Sequence, residues 1–273
     1  MAFKSHLGRS MDFRARSNLV LIAFVLMGAG IALVLWLNGE PGEVFLAPVL
    51  IFLTWALVRE IDPDHDWSAL VSAVFAGAWV LAGGAVPSAL AVTGLLIGAR
   101  IVTCTTGRRL LTTDLAAVGV YGIAIGFTVE GWAAGFGIAL AIYLDDRFRG
   151  ENLGRAIAGA SITAIGTTVV ATVSGAFPQT VPDVVQYMAV AAGVTALVLL
   201  SREPATPTTR VDARHSAFLD TARLYVSRSV TGVLVFLMTL LTGPDAGGLV
   251  VVVVALGLAI VSNEVELLRR GGR

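Results

Sequence analysis

Two adjacent carboxylates, Asp145 and Asp146, stand where one apolar run ends, and Glu60 stands at the end of another. A helix C-terminus carries the negative end of the helix dipole, so an anion there costs some tenths of a kcal/mol to about 1 kcal/mol. Adjacent carboxylates add their mutual repulsion. The neighbouring Arg147 and Arg149, a cationic ligand or a divalent metal would each offset this cost. A hard cation takes carboxylate oxygens and can present a substrate phosphate. Glu60, Asp145 and Asp146 are therefore the candidate metal ligands, and a divalent cation such as Mg²⁺ is the candidate cofactor. Arg100, Arg108 and Arg109 carry planar guanidinium groups able to clamp a phosphate, and with Arg59 and Glu60 they make up a candidate ligand site. An arginine network that neutralises the carboxylates explains the same residues without any ligand.

These residues belong to three polar clusters. The first runs from Arg59 to Asp66 and includes Glu60, Asp62, Asp64 and His65. The second runs from Arg100 through Thr103, Cys104, Thr105 and Thr106 to Arg109, with Thr112, Thr113 and Asp114 beyond. The third runs from Asp145 to Asn152. Asp64, Asp66, Thr113 and Asp114 precede or open apolar runs, where they would cap orphan amides. Cys104 is the one cysteine, so no internal disulfide or multi-cysteine metal site exists. His6, His65 and His215 show no paired spacing of a zinc site. Gly98, Ala99, Arg100 and Gly107 echo the centre of the motif in enzymes that transfer phospho-alcohols from CDP-lipids, but the preceding acidic pair is missing and the spacing is short. Asp62, Asp64 and Asp66 are too closely spaced for an aspartate-rich prenyltransferase site.

A second chemistry lies in the run 156–177, which carries Ser161, Thr163, Thr167, Thr168, Thr172 and Ser174. Helical spacing puts Ser161, Thr168 and Thr172 on one stripe and Thr163, Thr167 and Ser174 on its neighbour. Such hydroxyls could line a path for a neutral or weakly charged solute, with Thr168 and Thr172 as candidates. Alternatively they form interhelical hydrogen bonds, which average about 0.6 kcal/mol each in a membrane. The pairs Gly94/Gly98 and Gly122/Gly126 are small-xxx-small patterns suited to close helix packing.

The elements that must position these groups are hydrophobic. Of 273 residues, 56% are hydrophobic and only 14% charged, where a soluble domain carries about a quarter. Mean hydropathy is +0.83. The formal net charge of zero and the lack of a basic stripe give no sign of a nucleic-acid partner. Candidate spans are 18–38, 43–59, 67–83, 86–101, 114–128, 131–144, 156–177, 183–201, 229–242 and 246–263. A crossing needs roughly 20 residues, and several of these spans are shorter. The first run is too long for a typical signal-peptide core and is read as a retained helix.

Basic residues decide the topology. With about ten crossings and the N-terminus inside, every Lys and Arg falls on the cytoplasmic side. The opposite side then holds only Glu40, Glu43, Glu130, Asp183 and Asp245. Eight crossings keep the same parity, whereas fusing 114–144 into one helix would scatter arginines over both faces. The expected fold is thus all-α: a single polytopic bundle over residues 1–273 in a prokaryotic plasma membrane, with both termini cytoplasmic. Residues 1–17 form a tail. Residues 202–228 form a linker whose second half is either an interfacial amphipathic helix or an extension of the ninth span.

Three functions fit that object. The first is a small-solute permease or exporter. The second is a membrane enzyme acting on a phosphorylated lipid or prenyl group. The third is a non-catalytic assembly or sensory subunit. Beyond the lipid bilayer, the expected partner is an anionic lipid or a small-molecule ligand bound through the basic clusters.

Overall fold

Glycine and charge punctuate the apolar runs, and helices fill what lies between. The computed structural model of the protein describes residues 16–82, 88–107, 110–128, 130–150, 153–176, 210–211 and 214–241. The helices are α1 (Arg16–Leu37), α2 (Leu46–Ile61), α3 (Asp66–Leu81), α4 (Ala89–Thr103), α5 (Thr112–Ala124), α6 (Gly131–Arg149), α7 (Leu153–Ser174) and α8 (Thr221–Leu241). A 3-10 turn, Gly42–Phe45, leads into α2, and another, Ile125–Phe127, prolongs α5. Each helix covers one expected span. The expected spans 183–201 and 246–263 lie outside the described residues, as do the tail 1–15 and the linker 202–209.

Among the described residues, three segments are long and apolar enough to cross a membrane: Arg16–Leu37, Gly42–Ile61 and Gly154–Ser174. Asp66–Leu81, Ala89–Thr103 and Thr112–Phe127 are apolar but shorter. Ile162 and Val173 on α7 are 66% and 84% exposed, and Leu26 and Leu37 on α1 are 66% and 69% exposed. Outward apolar faces of that extent mark contact with a membrane or another protein. The middle of the bundle is α2, whose Leu50, Leu57 and Val58 are fully buried among residues of α3 and α4.

The expected hairpin at Glu130 is present. Thr128 Oγ1 accepts from Gly131 N at 2.9 Å and so caps the start of α6. A side chain at Gly131 would collide with the Ile125 carbonyl oxygen, so only glycine lets the chain turn back this closely. Between β1 (Arg210–Val211) and β2 (Arg214–Phe218) the backbone pairs in antiparallel fashion. Strands thus occupy the segment where the amphipathic helix was expected to begin. The helix starts only at Thr221, where Asp220 Oδ1 accepts from Ala222 N at 2.8 Å, and it continues unbroken through the expected ninth span.

The helices alternate in direction. Gly94 faces Ala134 and Ile138, while Gly98 faces Gly137 and Ala141, so α4 and α6 lie side by side and parallel. Gly119 faces Thr163 and Gly126 faces Thr167, so α5 and α7 are also parallel. α5 runs in the opposite direction, with Tyr121 Oη donating to Leu90 O of α4 at 2.7 Å. The ends of α2, α4 and α6 consequently meet the starts of α3, α7 and α8 at one pole of the bundle.

Candidate functional site

At that pole the side chains form one buried network of charges. Glu60, on the last turn of α2, is 1% exposed. It accepts from Arg100 Nε of α4 at 2.7 Å, from Thr105 Oγ1 at 2.8 Å and from Thr103 Oγ1 at 3.4 Å. Thr105 reaches it because Cys104 ends α4 in the left-handed conformation, φ 53°, and turns the chain back. The turn is closed by Gly107 N donating to Cys104 O at 2.7 Å.

Asp145 is 3% exposed and presents one oxygen to two guanidinium groups. Arg149 Nε, one turn on along α6, lies at 3.0 Å, and Arg223 Nη1 from the first turn of α8 lies at 2.9 Å. Arg223 also donates to Val102 O at 3.2 Å and rests 5.0 Å over the Phe148 ring. The other arm of Arg149 donates to Cys104 Sγ at 3.0 Å. Asp146 is buried too, 3.9 Å from Arg155 Nη2 at the start of α7. Gly150, in the left-handed region at φ 66°, ends α6 by donating its N–H to Asp146 O at 3.0 Å.

The third part is Asp62, which follows α2. Its Oδ1 faces both Arg228 Nη2 and His65 Nδ1, each at 2.9 Å. Arg228 Nε donates to Ile61 O at 2.6 Å. Arg59 pairs with Asp66 at the start of α3 and lies near the Trp55 ring. Burial pulls the Arg228 guanidinium below its ordinary range, and Asp62 and Asp64 oppose that shift. For Arg149, burial acts in the same direction, but Asp145 and the Cys104 sulfur outweigh it and the net shift is upward.

Removing one partner of a buried ion pair costs about 3–5 kcal/mol, because the other charge is left uncompensated. The intact pairs add little net stability. What they fix is geometry, since each links helices distant in sequence. Directly inward from the network lies a narrow crevice of about 10 Å³, close to the room one water needs. Gly94, Gly98 and Gly137 line it from α4 and α6, with Ser227, Thr231 and Leu234 from α8.

Several of the expected site residues converge here. Glu60 and Arg100 bond directly, Arg59 closes the neighbouring α2–α3 link, and Asp145 and Asp146 lie buried in the network. Arg108 and Arg109 lie outside the described residues. The three candidate metal ligands are each turned to a guanidinium, and among the described residues no group of three His, Cys, Asp or Glu side chains converges to hold a metal ion. Thr168 and Thr172 sit elsewhere, on the exposed face of α7. Their hydroxyls return to their own helix, at Ala164 O (2.9 Å) and Thr168 O (2.7 Å). Thr163 and Thr167, on the neighbouring stripe, point inward, and Thr167 Oγ1 lies 3.0 Å from Gly122 O of α5.

Sequence reasoning did not single out Arg223 and Arg228, the two groups that tie α8 to the site. Charge sorting already accounts for an arginine just before an apolar run, so nothing local set them apart. Comparison with protein-family models, curated proteins and solved structures returned no match.

Proposed function

We propose that the chain is a prokaryotic plasma-membrane protein of about ten crossings, with both termini cytoplasmic, that moves a small neutral or weakly charged solute. The observation that carries this reading is the buried charge network closing one pole of the bundle directly over a glycine-lined crevice. Ion pairs that join α2, α3, α4, α6, α7 and α8 at a single pole suit a closure that has to form and part. Arg100 spends its Nε on Glu60 instead of presenting it to a phosphate, and the carboxylates face arginines. Those pairings favour a permease over an enzyme acting on a phosphorylated lipid or prenyl group, with Mg²⁺ held by Glu60, Asp145 and Asp146. They also explain how the awkward carboxylates at helix C-termini are tolerated. The third reading, a non-catalytic assembly or sensory subunit binding anionic lipid, uses exposed basic residues, and this network is buried. Concentration of the described arginine contacts at one pole, with Glu40, Glu43 and Glu130 elsewhere, supports the orientation.

The test is flux. Purified protein in proteoliposomes is expected to take up radiolabelled glycerol, urea or alanine faster than protein-free vesicles do. Thr231→Phe, which fills the crevice, is expected to reduce that excess severalfold. Uptake equal to that of empty vesicles for all three solutes removes the reading.

A further inference from the structure

We propose that the first half of α8 is a detachable strap, docked on the bundle by Arg223 and Arg228 and able to lift without stranding the charges it leaves. This deepens the permease reading by naming the moving part, but its test needs no solute.

The argument begins with what each carboxylate keeps when α8 departs. Asp145 Oδ1 is shared between Arg223 of α8 and Arg149 of its own helix. Asp62 Oδ1 is shared between Arg228 of α8 and His65 of the α2–α3 connection. Asp145 therefore keeps a guanidinium, and Asp62 keeps a contact with His65, which carries a positive charge only when protonated. Glu60 is different: among the described residues Arg100 is its one cationic partner, and that pair joins α2 to α4. The network thus has a permanent half, held by Arg100, Arg149 and His65, and a half contributed wholly by α8.

The surface under the strap is also shaped for parting. Leu234 of α8 rests directly on Gly137 of α6, and the crevice lined by Gly94, Gly98, Ser227 and Thr231 leaves a gap between α8 and α4. Besides the bonds of Arg223 to Val102 O at 3.2 Å and of Arg228 to Ile61 O at 2.6 Å, the polar contact at this seam is weak, with Ser227 Oγ 3.4 Å from Ala99 O. Once lifted, Arg223 and Arg228 reach water at the pole and recover their hydration.

Accessibility of a buried seam position tests the strap. Ser227 is 1% exposed and Ala134, between α4 and α6, is 0% exposed. Each is replaced by cysteine in a Cys104→Ser background and treated with a water-soluble maleimide in lipid nanodiscs. Ser227→Cys is expected to react measurably in otherwise unaltered protein, and roughly tenfold faster when Arg223→Gln and Arg228→Gln are added. Ala134→Cys is expected to stay unreactive in both backgrounds. A Ser227→Cys rate unchanged by the added substitutions overturns the proposal, as does Ala134→Cys reacting alongside it. Thermal unfolding gives the second arm. Arg100→Gln, which strands Glu60, is expected to lower Tm about twice as much as Arg223→Gln. An equal or larger fall for Arg223→Gln, or its failure to fold, makes α8 a fixed staple and overturns the proposal as well.

Discussion

Glu60 shows what a single buried carboxylate demands. It lies at the negative end of α2, almost without solvent, and Arg100, Thr103 and Thr105 satisfy it from another helix and the loop that follows. Arg100→Met should destabilise the protein by about 3–5 kcal/mol, because Glu60 then stays buried and unpaired. Adding Glu60→Gln to Arg100→Met should restore part of that loss, since the stranded charge is gone. Denaturant unfolding of the two single variants and the double variant checks the cycle, and strictly additive losses would show the two groups to be uncoupled. That Glu60, Asp145 and Asp146 needed compensation was legible in the sequence, because dipole electrostatics holds wherever a helix ends. The identity of Arg223 and Arg228 as partners was not. Tertiary packing brings them 78 and 166 residues along the chain to Asp145 and Asp62, and no short-range pattern records such a distance.

Among the elements, α5, α6 and α7 meet through atoms that leave no room for change. A Cβ at Gly135 would press on the Gly122 carbonyl oxygen and stand 2.8 Å from Thr167 Cγ2. Gly135→Ala should therefore cost about 1–3 kcal/mol through overpacking. Thr167→Val should cost about 0.6 kcal/mol for the interhelical hydrogen bond. Thr168→Val should change neither stability nor flux, because its hydroxyl serves only its own helix. Unfolding measurements on the three variants test the ranking, and a Thr168→Val effect as large as that of Gly135→Ala would reverse it. The hydroxyl stripes were visible from spacing alone. Which stripe turns inward was not, since α7 has apolar residues all round and the choice depends on where α5 and α6 place their glycines. The described helices fall on expected spans, whereas β1 and β2 were not foreseen. Long apolar runs leave little freedom, while a short polar segment can satisfy its backbone in several ways.

For the molecule as a whole, the two poles carry opposite character. In a Cys104→Ser background, Glu40→Cys and Arg147→Cys introduce single thiols at exposed positions. Membrane-impermeant maleimide should label them from opposite sides of a sealed vesicle, with Arg147→Cys reacting from the cytoplasmic side. Labelling of both from one side would remove the topology and with it the permease reading. The expected sidedness rests on charge sorting alone, because insertion depends on arginine counts in loops and not on how the helices later pack.

The parallel pair α4 and α6 is tied at both extremities. At one, Glu130 Oε2 accepts from Ser88 N at 2.6 Å; at the other, Arg149 Nη2 donates to Cys104 Sγ at 3.0 Å. Two rods fastened at top and bottom share one length, so neither helix can gain or lose a turn unless the other changes with it. Any rearrangement that tilts α4 carries α6 along as a single plank, and freedom to reshape the interior falls to the helices flanking that plank.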